Sequence, residues 1–183
     1  NLRAADQQQP DYLALNPNGV VPTLRDEGTV VIESTIINEY IDDAFPDPAL
    51  RPVEAAARAR MRLWTKQLDD GLHAATGVVS SCIAFRFQHL DGKTTEELDS
   101  YLARMPDAAK RERQTENIYK GVDSKFFPAA VHRFDKLLGD MNDALAAGPW
   151  LAGNEFSLAD VAYTPYAVRL DHLQLQGMWD KRP

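Results

Sequence analysis

Glu33-Ser34 is a pair of residues whose types could bind a ligand, although Glu-Ser by itself is a common dipeptide. It stands where the β-rich run Thr29-Val30-Val31-Ile32 gives way to a helical pattern. A residue at that junction lies among the free N–H groups and the partial positive charge of a helix N-terminus, a setting that suits a carboxylate. The plainer roles are that Ser34 caps its own helix and that Glu33 is a solvated carboxylate; capping and ligand binding are compatible. Val21-Pro22 follows a turn and opens a β-branched run, where a proline by itself reads as an ordinary trans residue on an edge strand. Cys82 is the sole cysteine, which excludes an internal disulfide framework and a cysteine-based zinc site. It reads as a small buried apolar group and not as a nucleophile. His73 has no partner motif beside it and reads as a structural or solvated histidine.

The elements that must position these residues divide into two kinds. Gln9-Pro10-Asp11-Tyr12-Leu13 predicts a short helix with Pro10 in its first turn. Asn16-Pro17-Asn18-Gly19 and Asp26-Glu27-Gly28 are turn signals, and the β-rich runs Val20–Leu24 and Thr29–Ile32 around the second predict a hairpin. Ser34 then opens a helix with Ile36, Ile37, Tyr40 and Ile41 as its apolar stripe. Phe45-Pro46-Asp47-Pro48-Ala49-Leu50-Arg51-Pro52 is a proline-rich linker, giving domains 1–45 and 53–183 with the linker at 46–52.

Everything after the linker reads as helix. Met61, Trp64, Leu68 and Leu72 recur at helical spacing. Thr94-Thr95-Glu96-Glu97 has the pattern of a capping box, and Pro106 ends the helix it starts. A charged helix follows over 107–120. Phe127, Val131, Phe134, Leu138, Met141 and Leu145 form a long core stripe that Gly148-Pro149 stops. Ser157-Leu158-Ala159-Asp160 is a capping box with Phe156 and Val161 placed as a hydrophobic staple, and its role is structural. Pro165 falls within the helix that follows and should bend or locally open it.

Composition narrows the class. The net charge is −7 and the pI about 5.1, which argues against a nucleic-acid partner. No apolar run approaches the roughly 18 residues of a transmembrane helix, and the polar opening is unlike a signal peptide. No membrane partner is expected, and the cytoplasm is the default compartment.

Asn16-Pro17-Asn18-Gly19-Val20-Val21-Pro22-Thr23-Leu24, then Glu33-Ser34, then Trp150-Leu151-Ala152-Gly153-Asn154-Glu155-Phe156-Ser157-Leu158-Ala159-Asp160 resemble the cytosolic glutathione transferase superfamily in order and spacing. Arg62 to Phe85, with Thr164-Pro165-Tyr166 and Arg169-Leu170, is most similar to bacterial members near the β-etherase-like branch. The resemblance implies an α/β plus all-α fold, an incomplete thioredoxin-like N-terminal domain followed by an all-helical C-terminal domain. The family's first unit is strand–helix–strand, about 30 residues. The chain begins near the end of that unit, at Asn1-Leu2-Arg3, so the sheet is expected to lack its first strand and helix. The family's thiol-activating Ser, Cys or Tyr lies there, and no residue of this chain is matched to it.

The resemblance also implies roles. Pro22 matches the family's cis-proline, which leaves the Val21 backbone facing the groove to pair with the cysteinyl part of glutathione as an added strand. Ser34 would hold the γ-glutamyl carboxylate, and Glu33 would pair with the ligand ammonium or orient the site. Gln7 matches a position that reaches the glycyl carboxylate, whereas Val20 departs from the polar or basic residue many relatives place for that same group. The first long helix of the second domain would line the electrophile pocket, with His73, Gly77, Ser80, Ser81 and Phe85 as candidates. The implied function is a glutathione-dependent transferase with glutathione as co-substrate, acting on a small hydrophobic electrophile, as in detoxification, and working as a homodimer. A lyase, an isomerase or a reductive dehalogenase would use the same thiol. The alternative is a non-catalytic binding or regulatory module of the same fold.

Overall fold

The computed structural model describes residues 1, 5–105 and 107–182. The expectations placed on Leu2, Arg3 and Pro106 lie outside the described residues. The α/β part opens with a 3-10 turn, Asp6–Gln8, and the short helix α1, Pro10–Leu13, with Pro10 in its first turn as expected. Strands β1, Thr23–Asp26, and β2, Thr29–Ile32, pair antiparallel with Thr23 opposite Ile32 and Asp26 opposite Thr29. They are the only sheet strands among the described residues. The first strand starts later than its β-branched run suggests: residues 20–22 stay outside the ladder. The hairpin turn needs φ +43° at Glu27 and +90° at Gly28, and the second value suits glycine.

Helix α2, Ser34–Ala44, follows β2 directly. Its apolar stripe is only partly buried. Ile37 is covered, while Ile36 and Ile41 are 56% and 42% exposed. The stripe therefore does not serve one core: Ile36 turns to the cleft described below.

The linker is held, not loose. Asp42, buried near the end of α2, accepts from the backbone N–H of Leu50 at 2.5 Å and of Arg51 at 3.1 Å. Leu50 in turn accepts from the Leu158 N–H at 3.2 Å. Arg62 also reaches across to Glu39 with a two-pronged bond of 3.0 and 2.7 Å. Bidentate geometry of this kind adds orientation as well as attraction. These bonds set how α2 faces the helices beyond the linker.

The remainder is helical: α3, Ala55–Gln67; α4, His73–Ser80; α5, Arg86–Leu90; α6, Thr95–Ala103; α7, Ala108–Lys120; α8, Phe127–Ala147; and α9, Leu158–His172. Met61, Leu68 and Leu72 are buried with Phe134, Leu137, Leu158, Ala159, Tyr163 and Leu170 in one core between α3, α4, α8 and α9. The predicted stripe of α8 is right at Phe134 but ends early, with Leu145 45% exposed. Trp64 donates its Nε1–H to the Leu151 carbonyl at 2.8 Å, and the Tyr163 hydroxyl donates to the Trp64 carbonyl at 2.9 Å. Both capping boxes form, Thr94 with Glu97 and Ser157 with Asp160.

The stripe Met61, Trp64, Leu68, Leu72 suggests one unbroken helix, but the chain kinks between α3 and α4. Asp70 and Gly71 leave helical geometry, and Gly71 has φ +115°. Arg133 of α8 donates to the freed Asp70 carbonyl at 2.5 Å. The backbone angle favours glycine at Gly71, and a Cβ there would lie 2.5 Å from that guanidinium and displace it. Pro165, in contrast, sits inside a helix that runs on past it. Having no N–H, it leaves the Val161 carbonyl without its helical donor.

Candidate functional site

Val21-Pro22 is presented by a small hydrogen-bonded scaffold built on Asn16. Asn16 is buried, and its Nδ2 donates to the Val20 carbonyl at 2.9 Å and to Thr23 Oγ1 at 3.1 Å. Its Oδ1 accepts from the Asn18 N–H at 3.1 Å, closing an Asx turn. Gly19 completes the turn at φ +60° and packs on Gln8, whose Nε2 donates to the Gly19 carbonyl at 3.0 Å. The Tyr12 hydroxyl also reaches the Val20 carbonyl at 2.7 Å and Thr23 Oγ1 at 2.8 Å. Asn16 and Tyr12 thus both hold Val20 and Thr23. Val21 between them has neither its N–H nor its C=O bonded among the described residues, and its side chain is half exposed. The Val21–Pro22 peptide is cis. In the sequence Asn16 is a turn residue and Tyr12 a helix residue; their positioning role depends on partners several residues away.

The start of α2 is the second part. Glu33 occupies the N-cap position at φ +69°, a costly angle for a non-glycine residue, and makes no side-chain cap. Ser34 is the first helical residue, so it does not cap its own helix in the usual way. Its hydroxyl has no partner among the described residues. The first helical bond is the Ile37 N–H to the Glu33 carbonyl at 2.8 Å, which leaves the N–H groups of Ser34, Thr35 and Ile36 open.

Both parts face one cleft of about 1010 Å³. Val20, Val21, Pro22, Glu33, Ser34 and Ile36 form one wall; Asp69, Gly71 and His73 at the kink, with Pro165, Tyr166 and Arg169 of α9, form the other. Thr35 spans the two, its hydroxyl 3.4 Å from Asp69 Oδ2. His73 Nδ1 and the Tyr166 hydroxyl lie 3.1 Å apart, and burial pushes the Tyr166 phenol up. Of the electrophile-pocket candidates, His73 lines the cleft. Gly77, Ser80, Ser81 and Phe85 do not, and Ser80 is buried. Gln7 lies outside the cleft as well, with its Oε1 buried and unpartnered among the described residues. Cys82 is buried and its thiol is pushed up to about 11 by burial, so the thiolate is scarce and the group is inert. Tyr166 and Arg169 were missed as cleft residues. The signal was the spacing Val161, Pro165, Arg169 with Ala162 and Tyr166, one helical face.

The fit to glutathione can be tested on these groups. A cysteinyl backbone needs one acceptor and one donor side by side, as at Val21. A γ-glutamyl end needs donors for a carboxylate and an anion for an ammonium, as at the α2 N-terminus and Glu33. Residues 1–43 match the model of the glutathione S-transferase N-terminal domain, and residues 107–183 match that of the C-terminal domain. The chain belongs to the glutathione transferase superfamily. Its fold is the thioredoxin-like N-terminal domain of that family, here with a small two-stranded sheet, followed by the all-helical C-terminal domain.

Among curated relatives, protein LigF from a Sphingobium species is 26% identical over 85% of this chain and 61% of its own length. Glutathione S-transferase 3 from Zea mays is 29% identical over 100% of this chain and 66% of its own. The chain thus spans about three fifths of the length of LigF. Among solved structures, the β-etherase LigF from Sphingobium superposes with a TM-score of 0.73 at 22% identity, covering 99% of this chain and 86% of that one. A Burkholderia graminis glutathione transferase, with two glutathione molecules bound per subunit, gives 0.68 at 20% identity over 100% and 66%. At these identities the superpositions speak for the fold. No described helix is long and apolar enough to cross a membrane.

Proposed function

We propose that the chain binds glutathione across Val21, Pro22, Glu33 and Ser34 and acts as a glutathione-dependent transferase on a small hydrophobic electrophile. The observation that carries this is one cleft into which open both the unpaired backbone of Val21 and the uncapped N-terminus of α2. The Val21 N–H and C=O pair with the cysteinyl backbone as an added strand. The Ser34 hydroxyl and the α2 N–H groups take the γ-glutamyl carboxylate, and Glu33 takes the ammonium. The cysteinyl sulfur then points toward the α9 wall. Its thiolate is the reactive form; it attacks an electrophilic carbon, a C–S bond forms, and the leaving group departs with its electron pair. No residue of this chain is assigned the activation of that thiol.

The division into 1–45, a linker at 46–52 and 53–183 belongs to the same proposal, supported by the Asp42 clamp on Leu50 and Arg51. So do a cytoplasmic location and a homodimer, the latter supported by exposed Phe45, Val53 and Leu63 on and beside α2 and α3. Calorimetric titration with glutathione tests the binding site. Ser34→Ala should weaken binding; equal affinity in the two proteins, or no binding by either, overturns the assignment.

A further inference from the structure

We infer that the electrophile half of the cleft is built for a substrate carrying a carboxylate on an apolar or aromatic body, held by Arg169. This deepens the glutathione reading above and rests on it for the identity of the cleft. Arg169 is the only arginine or lysine among the described residues that line the cleft. Its guanidinium has no carboxylate and no hydrogen-bond partner among the described residues, although the protein carries an excess of acidic groups. Instead it stacks over the Phe85 ring, 5.2 Å from the centroid. A cation so placed is partly desolvated and fixed in orientation, with its hydrogen-bonding edge still free.

The surroundings select the ligand. Arg169 continues the α9 face of Val161, Ala162, Pro165 and Tyr166, which is apolar up to the Tyr166 hydroxyl. That face accepts a ring or an alkyl body. Neither acidic group of the cleft pairs with Arg169, although Asp69 shares its wall. Glu33 is at the start of α2, and Asp69 accepts from Thr35 on that same helix. Arg169 is therefore the cationic point of a cleft whose carboxylates lie at the start of α2 and at the kink, and it orients a ligand whose negative end lies at Arg169 and whose reacting carbon lies toward the glutathione sulfur. One cation against two carboxylates favours a monoanion over a phosphate-like dianion. A planar guanidinium matches the two oxygens of a carboxylate. The cleft volume, about 1010 Å³, is at the top of the range of about 300–1,000 Å³ for a drug-sized ligand, which leaves space beside a bound tripeptide.

The test uses two unreactive probes of the same shape, 2-naphthoate and 2-naphthamide, titrated with and without saturating glutathione. The protein should bind the carboxylate about tenfold to a hundredfold more tightly than the amide, the worth of hydrogen bonds to a charged group. Arg169→Gln should remove that preference while keeping the melting temperature and the glutathione affinity. Arg169→Lys, which keeps the charge and loses the planar fork, should fall between. Equal binding of the two probes, binding of neither, or an undiminished preference in Arg169→Gln overturns the inference and leaves glutathione binding untouched. If Arg169→Gln loses glutathione affinity instead, the guanidinium holds a carboxylate of glutathione itself, and the electrophile assignment falls. Should glutathione fail to bind while the carboxylate preference tracks Arg169, the inference stands and the glutathione reading fails alone.

Discussion

The N-termini of α2 and α9 begin with similar needs and are treated in opposite ways. At α9, Ser157 is fully buried and Asp160 is saturated: it accepts from the Ser157 N–H at 2.9 Å, from the Ser157 hydroxyl at 3.0 Å and from the Leu151 N–H at 3.0 Å. At α2 the N-cap side chain makes no bond, the Ser34 hydroxyl is free, and the backbone is held at a positive φ. A helix start that the fold has satisfied is part of the architecture. One left open beside a cleft has donors to offer a ligand. The same contrast separates the residues around them. Asn16 spends all its bonds on the chain itself so that Val21 need spend none.

The largest effect should come from the satisfied end. Asp160→Ala removes the acceptor for three donors, two of them on fully buried Ser157, and should cost about 3 kcal/mol of stability in a urea titration. Its intrinsic glutathione affinity should hold while the protein is folded. Asn16→Ala should come next, at about 2 kcal/mol, and should weaken glutathione binding as well, because Val20 and Thr23 no longer fix Val21. Retained affinity in that variant would detach the scaffold from the site. Ser34→Ala should shift stability by less than about 0.5 kcal/mol, since no bond within the protein is lost. It should lower glutathione affinity about tenfold by calorimetry, the loss of one charge-assisted bond. If instead it destabilises like a lost cap, α2 is not an open terminus. Glu33→Gly relieves the positive φ and should leave stability unchanged or raise it by up to about 1 kcal/mol. Its glutathione affinity should fall about threefold, the size of an exposed ion pair.

The legible features are those encoded within a few residues. Both capping boxes, the Thr29–Ile32 strand and the proline-started α1 are local patterns, and each appears where the sequence places it. The approach of Val21 to Ser34 is not local. It was legible only because Asn16 to Ser34 matches a family pattern in order and spacing, and the cis peptide at Pro22 followed from that match. What escaped reading depends on distant partners. The kink at Asp70-Gly71 leaves the apolar spacing Leu68, Leu72 intact and is completed by Arg133 on α8. Ile36 carries the period of a core stripe but faces the cleft. Tyr166 and Arg169 share a face of α9 with Val161, Ala162 and Pro165, and that face becomes a cleft wall only through α2 and the kink, which are distant in sequence.

Backbone amide chemical shifts measured during a glutathione titration bear most directly on the site. The amides of Val21, Ser34, Thr35 and Ile36 should move together along one saturation curve, while those of Ser157, Ala159 and Asp160, whose cap is already closed, stay in place. A titration in which the α2 and Val21 amides do not move, or in which the α9 cap moves as much as they do, would contradict the assignment of glutathione to this cleft.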